Sequence, residues 1–227
     1  MTIGALAVRT YVRYVVPLTV LAAIACAPLV WYALGAKPPP DAGSARAMLR
    51  VMYVIGATAW IWQIMLTGAA AELVPGVAAR APLGQLAATW RGFVGLVRAI
   101  VPGVAAAAAI VVGGLALVVP GLVLLVLLAM TGAASAHGMP GALAESIAAV
   151  RARPRAAVIV TAMVVIVDVA IAVAGKLAIA ASLPKKPSSL LLATYPRALQ
   201  LVVVAIVIVS PILACALAAV HHRPRSE

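Results

Sequence analysis

Residues 105–130 read AAAAAIVVGGLALVVPGLVLLVLLAM, and no charged or amide side chain interrupts them. A helix crosses the roughly 30 Å of bilayer hydrocarbon with about 20 apolar residues. This run is therefore too long for one crossing and too apolar for a water-facing fold. Its natural break is Pro120-Gly121, since Pro halts a helix and Gly permits a turn. The expectation is a tight hairpin of two spans. The alternative is one long kinked helix, which would leave five spans and put the termini on opposite sides.

The remainder of the chain has the same character. Of its 227 residues 66% are hydrophobic and 10% charged, against about 25% charged in soluble domains. No polar stretch is long enough to build a second domain, so the reading is one polytopic, all-α membrane domain over 1–227. Six spans are expected at about 14–35, 51–72, 99–118, 121–137, 156–181 and 198–220. The N-terminal run has Arg9 and Arg13 ahead of it, as a signal peptide would. Its apolar part is longer than a signal h-region, and Lys37-Pro38-Pro39-Pro40 is a poor cleavage context, so it reads as a retained first span.

The net charge of +12 does not point to nucleic acid. The basic residues sit in short connections beside apolar runs, where orientation and anionic headgroups account for them. No RGG-like tract or aromatic-laced basic helix is present. With the N-terminus inside, cytoplasmic connections carry Arg9, Arg13, Arg80, Arg91, Arg98, Arg151, Arg153, Arg155, Arg223 and Arg225. Outer connections carry Lys37, Arg46, Arg50, Lys176, Lys185, Lys186 and Arg197. That bias favours both termini on the cytoplasmic side.

Two connections have helical periodicity. In residues 83–98, Leu83, Leu86, Trp90, Phe93, Val94 and Val97 share a stripe that continues to Ile100 and Val101, with Arg91 and Arg98 at its edge and Ala88, Gly92 and Gly95 opposite. In residues 141–153, Leu143, Ile147 and Val150 share a face, Glu145 points away, and Arg151 and Arg153 flank the stripe. Both read as interfacial helices with the stripe in the lipid, and Trp90, Phe93, Arg91, Arg98, Arg151 and Arg153 as their anchors. LAAT at 86–89 matches LAES at 143–146, and GALA recurs at 4–7 and 141–144. These echoes suggest a threefold repeat of an amphipathic helix plus two spans, which would make residues 4–14 a third interfacial helix.

The stretch VVPGLVLLVLLAMTGAASAHGMPGALAESIAAVRARP, residues 118–154, resembles a family of six-span bacterial integral membrane proteins. Related membrane domains precede the catalytic domain of some glycerophosphodiester phosphodiesterases. Pro120, Gly121, Ala142, Leu143 and Ser146 carry the resemblance. His137-Gly138 stands where the family has Glu-Gly, Glu145 where it has a basic residue, and Ile147 where it has Trp. The resemblance implies a fold more than an activity, and with no catalytic domain alongside, phosphodiesterase chemistry does not carry over.

Asp168 is the candidate functional residue. An ionised Asp at mid-span costs about 2.5–3.5 kcal/mol, and intramembrane acids face the bundle and mark a pathway or a pair. Two readings stand: a proton- or cation-linked site, or a hydrogen-bonded pin, with Gln63 or a hydroxyl as partner. Glu72 and Glu145 read as salt-bridge partners of Arg80, Arg151 or Arg153. His137, His221 and His222 lack ligand-spaced acids or thiols, and no phosphate loop, nucleophile elbow or HExxH is present. Cys26 and Cys215 fall at different depths, about 18 and 8 Å from the cytoplasmic end of their spans, which argues against a bridge. The expectation is a non-enzymatic scaffold or accessory protein without cofactor or metal. Its partners would be the bilayer, anionic headgroups and a second copy or a membrane subunit. The alternative is a small transporter or permease subunit with Asp168 in a polar path.

Overall fold

The computed structural model describes residues 2–37, 59–136, 141–182 and 195–222. Among these the chain is all helix, with no strand. The helices are α1 (Ile3–Arg13), α2 (Val15–Ala25), α3 (Ala27–Gly35), α4 (Ala59–Ala71), α5 (Val74–Ala78) and α6 (Gln85–Arg98). They continue as α7 (Ile100–Ala116), α8 (Val118–Leu128), α9 (Thr131–Ala136), α10 (Ala142–Ala152), α11 (Pro154–Ser182) and α12 (Tyr195–His222). Three helical stretches are long and apolar enough to cross a membrane: Val119–Ala136, Pro154–Gly175 and Leu199–His222. The count reaches five if the bent pairs α1–α2 (86°) and α6–α7 (47°) each form one span. The expected span at 51–72 is described only from residue 59, and its first eight positions, like Arg46, Arg50, His137-Gly138, Lys185, Lys186, Arg223 and Arg225, lie outside the described residues.

Prolines set the breaks. The expected span 14–35 is two helices, because Pro28 lacks the N–H that Ile24 would need and its ring opposes that carbonyl. The chain breaks at Cys26 (φ −90°, ψ 14°) and Pro28 enters the first turn of α3, where a missing N–H is harmless. Between α7 and α8 the hairpin forms, but the turn is at Leu117 (φ −161°, ψ 143°) and not at Pro120-Gly121. Pro120 falls instead in the first turn of α8, among N–H groups that have no helical partner anyway. Gly121 is there for proximity: a Cβ on it would lie 2.6 Å from Gly114 Cα.

α12 is the hub, packing against α1, α2, α3, α4 and α11. Its C-terminal part is buried nearly all round, with Leu213, Ala214, Cys215 and Leu217–Val220 in the core. Pro211 lies inside this helix and leaves the Val207 carbonyl without an intrahelical donor. Two side chains donate to neighbouring carbonyls at the break: Tyr11 Oη to Ile208 O at 3.3 Å and Gln63 Nε2 to Ser210 O at 3.5 Å. Buried hydroxyls elsewhere bond back into their own helices, Thr67 to Gln63 O at 2.8 Å and Thr10 to Leu6 O at 2.9 Å.

Three helices meet at glycines. A Cβ on Gly68 of α4 would lie 2.7 Å from both Ala99 Cβ and the Gly95 carbonyl oxygen of α6. One on Gly95 would lie 2.5 Å from the Gly68 carbonyl oxygen, and one on Gly132 of α9 would run into the Ile64 carbonyl and lie 2.9 Å from Gly68 N. The neighbours here are backbone atoms, which cannot rotate away. Small residues that bring backbones together are how helices associate in lipid, where burial of apolar area supplies no drive.

The two amphipathic connections differ. α6 has the expected orientation in part, with Leu86 (86% exposed), Trp90 (67%) and Val97 outward and Ala88, Gly92 and Gly95 buried, while Leu83 and Phe93 of the stripe pack against the core. α10 corrects its expectation: its stripe turns inward, with Val150 buried and Leu143 and Ile147 packed against Ile64, Ala106 and Leu128. Ser146 Oγ fixes that orientation by donating to Leu127 O at 2.7 Å. α1 lies across α2 and buries Leu6, Ala7 and Thr10.

The glycine crossing yields a pair of opposite expectations. Gly132→Ala should destabilise by about 1–3 kcal/mol, the usual cost of overpacking. Gly114→Ala, whose Cβ would meet nothing within 4 Å, should be neutral or stabilise by about 0.5–1 kcal/mol through helix propensity. Thermal unfolding in mild detergent, followed by tryptophan fluorescence, separates the two.

Candidate functional site

Helix ends collect most of the described arginines at one end of the molecule. α4 ends beside α6, where Arg98 Nη1 lies 3.5 Å from Glu72 Oε1 and donates to Ala136 O, the last residue of α9, at 3.0 Å. Arg153, between α10 and α11, donates from Nη1 to Val220 O near the end of α12 at 2.6 Å. A helix terminus leaves its last carbonyls without N–H partners, and a guanidinium there supplies donors together with a charge that suits the negative end of the helix dipole. These two arginines therefore tie α6 to α9 and α11 to α12. Glu72 pairs with Arg98, not with Arg80 as its position in sequence implied.

Tyr14 pins the same end. Its ring is fully buried, and its hydroxyl accepts from Leu83 N at 2.7 Å. Gln85 Nε2 donates to Arg13 O at 3.1 Å, so α1, the start of α2 and the approach to α6 are stitched together. Between α5 and α6 the chain reverses at Arg80, which has φ 57°. Ala81 N bonds to Gly76 O at 2.9 Å and Arg80 N to Val77 O at 3.2 Å, the paired bonds that close a helix around a left-handed residue. That position usually holds Gly, and here it holds an exposed arginine.

The arginines thus sort into two sets. Arg98 and Arg153 turn their guanidiniums onto helix-end carbonyls. Arg80, Arg91 and Arg151 are exposed, and among the described residues no hydrogen bond or ion pair reaches their side chains. Of the expected anchors, Arg91 and Arg151 point outward while Arg98 and Arg153 are latches. Trp90 and Phe93 stack with ring centroids 6.1 Å apart on the outer side of α6.

Asp168 lies apart from this end. It is half-buried on α11, on the face that carries the buried Val164 and Gly175. A Cβ on Gly175 would lie 2.7 Å from Val202 Cγ2, and Arg153 reaches Val220. Counted along the two helices, these tie points place Asp168 level with residues 205–209 of α12, the stretch whose Val207 carbonyl the Pro211 break leaves without a donor. Gln63 uses its amide on Ser210 O, and among the described residues no hydrogen bond or ion pair reaches Asp168. Its mid-span position singled Asp168 out in the sequence; the proline opposite it was visible there too, but not its register. Cys26 and Cys215 are buried free thiols. No group of three His, Cys, Asp or Glu that could hold a metal occurs among the described residues.

No family model, no curated protein and no solved structure matches this chain.

Sorting the arginines generates a stability prediction. Arg153→Ala should lower stability by about 1–3 kcal/mol, the cost of leaving a buried carbonyl without its charged donor. Arg80→Gly should raise it by about 1 kcal/mol by relieving a left-handed non-glycine residue, and Arg151→Ala should leave it unchanged. Thermal midpoints of the three purified variants in one detergent check the order.

Proposed function

We propose that the chain is a non-enzymatic integral membrane protein, a scaffold or accessory component of membrane or lipid biology. In this proposal it makes six spans in a bacterial cytoplasmic membrane, related to the six-span family that residues 118–154 resemble, with both termini and the arginine-rich end in the cytoplasm. The helix pairs α1–α2 and α6–α7, and α10 leading into α11, are the three units of its internal repeat. The observation that carries this reading is the inverted packing of α6: its small face is inside and its bulky apolar stripe is outside. In water that arrangement would leave Leu86, Trp90, Val97 and Val101 exposed at a large free-energy cost. In a bilayer it is the stable one, because close backbone packing replaces apolar burial as the cohesive force. The outward arginines supply the charge that anionic headgroups would meet.

Quenching tests the placement. In a variant keeping Trp90 and carrying Phe at Trp31, Trp60 and Trp62, lipids brominated near the headgroup should quench fluorescence more strongly than lipids brominated at the chain ends. Equal quenching by aqueous iodide with no effect of brominated lipid would overturn the reading. For topology, single cysteines at Thr2 and Glu227, introduced with Cys26 and Cys215 replaced by Ala, should both react with an impermeant maleimide only after the inner face is exposed.

A second reading rests on Asp168 alone. A carboxyl without a partner among the described residues, level with a proline break in the hub helix, is where a small transporter or permease subunit would bind a proton or cation. Asp168→Asn should abolish proton- or cation-driven flux in proteoliposomes under this reading. Under the scaffold reading, the same variant assembles as the wild type does and there is no flux to lose.

A further inference from the structure

The exposed flank of α10 carries a feature that the arginine latches do not use. Ala144, Ile147, Ala148, Arg151 and Ala152 line an open groove of about 580 Å³. These positions recur at steps of three and one along one helix face, over a length of about 12 Å at 1.5 Å per residue. The lining is apolar except at one end, where Arg151 stands exposed with no side-chain partner among the described residues. Arg155, also exposed, follows just beyond it on α11. The acid of this helix, Glu145, belongs to its first turn, at the opposite end from Arg151. The helix thus turns Leu143 and Val150 inward, shares the half-buried Ile147 between core and groove, and leaves along Ala144, Ala148 and Ala152 a shallow apolar track that ends in positive charge.

We infer that this groove holds one anionic phospholipid of the surrounding bilayer, its acyl chain along Ala144, Ile147 and Ala148 and its phosphate on Arg151. Charge complementarity orients the occupant. The phosphate is drawn to the Arg151 end, so the lipid lies in one direction only. A soluble phosphate would match the arginine and leave the apolar track empty; a neutral lipid would match the track and leave the arginine unanswered. A guanidinium with its donors free binds phosphate through paired hydrogen bonds. Arg98 and Arg153, already on carbonyls, are poorly placed to do so. The inference rests on the membrane reading above and adds to it a site, a lipid class and a named contact.

Native mass spectrometry of the full chain, released from mild detergent supplemented with phosphatidylglycerol or phosphatidylcholine, is the test. The wild type should retain phosphatidylglycerol in preference to phosphatidylcholine. Arg151→Gln should lose one retained phosphatidylglycerol per chain, while Arg91→Gln, outside the groove, should lose none from it. Ala148→Phe keeps the charge and fills the track, and it should also lose that lipid. Retention by Arg151→Gln equal to wild type overturns the groove assignment and leaves the membrane reading standing. Loss in Arg151→Gln with full retention in Ala148→Phe overturns it in favour of charge alone. Displacement of the lipid by inorganic phosphate overturns it in favour of a soluble anion. A wild type that retains no anionic lipid at all sinks the headgroup part of the broader reading as well.

Discussion

Three helices cross where none of them has a side chain. Gly68, Gly95 and Gly132 bring the backbones of α4, α6 and α9 so close that a single added methyl on any of them would strike a main-chain atom. Contacts of this kind gain dispersion and weak Cα–H···O attraction, each small and jointly sufficient where lipid supplies no hydrophobic drive. The crossing also dictates what lies around it. Because α6 must present Gly92 and Gly95 inward, Leu86, Trp90 and Val97 on its other side face out. Because α4 and α6 cross so closely, Glu72 at the end of one comes within reach of Arg98 at the end of the other.

The second constraint is the obligation to satisfy backbone groups away from water. Helices meet it internally except at their ends and at prolines. Those are the places where this chain puts long polar side chains. Tyr11 and Gln63 donate beside the Pro211 break, and Arg98 and Arg153 donate to the ends of α9 and α12. On α1 and α4, Tyr11 and Gln63 serve the hub helix, while the buried hydroxyls of Thr10 and Thr67 bond back into their own helices. Asp168 is the exception, since it stands level with the same break without taking part in the repair.

Much of the architecture was legible in the sequence because apolar runs and a 3.6-residue period are local signals. They located the hairpin, the two amphipathic connections and the outward stripe of α6. What stayed hidden depended on neighbours. Pro120-Gly121 looks like a turn, yet Pro is equally at home in a helix's first turn and Gly equally at home against another backbone; Gly114 opposite decided between them. Periodicity showed that Leu143, Ile147 and Val150 share a face, but not whether lipid or protein covers it. Ile64, Ala106 and Leu128 cover much of it. Arg98 and Arg153 were read as headgroup anchors because charge beside an apolar run has that meaning on average, and only the fold shows which helix ends lie within reach.

That distinction matters for how the positive charge of the chain is understood. Counting arginines treats them as interchangeable contributors to orientation. The structure makes them unequal: a guanidinium seated on a helix-end carbonyl is a structural donor whose charge is partly answered by the dipole it caps. An exposed one without a protein partner still has its full hydrogen-bonding capacity. Only the second kind can read the chemistry of the surroundings. Arg80 sharpens the point, because it holds a left-handed position that Gly would occupy at lower cost, yet its side chain is exposed and no hydrogen bond or ion pair among the described residues offsets the strain. The arginine-rich end is therefore two superimposed devices, an inner set that closes the bundle and an outer set that faces whatever lies beyond it.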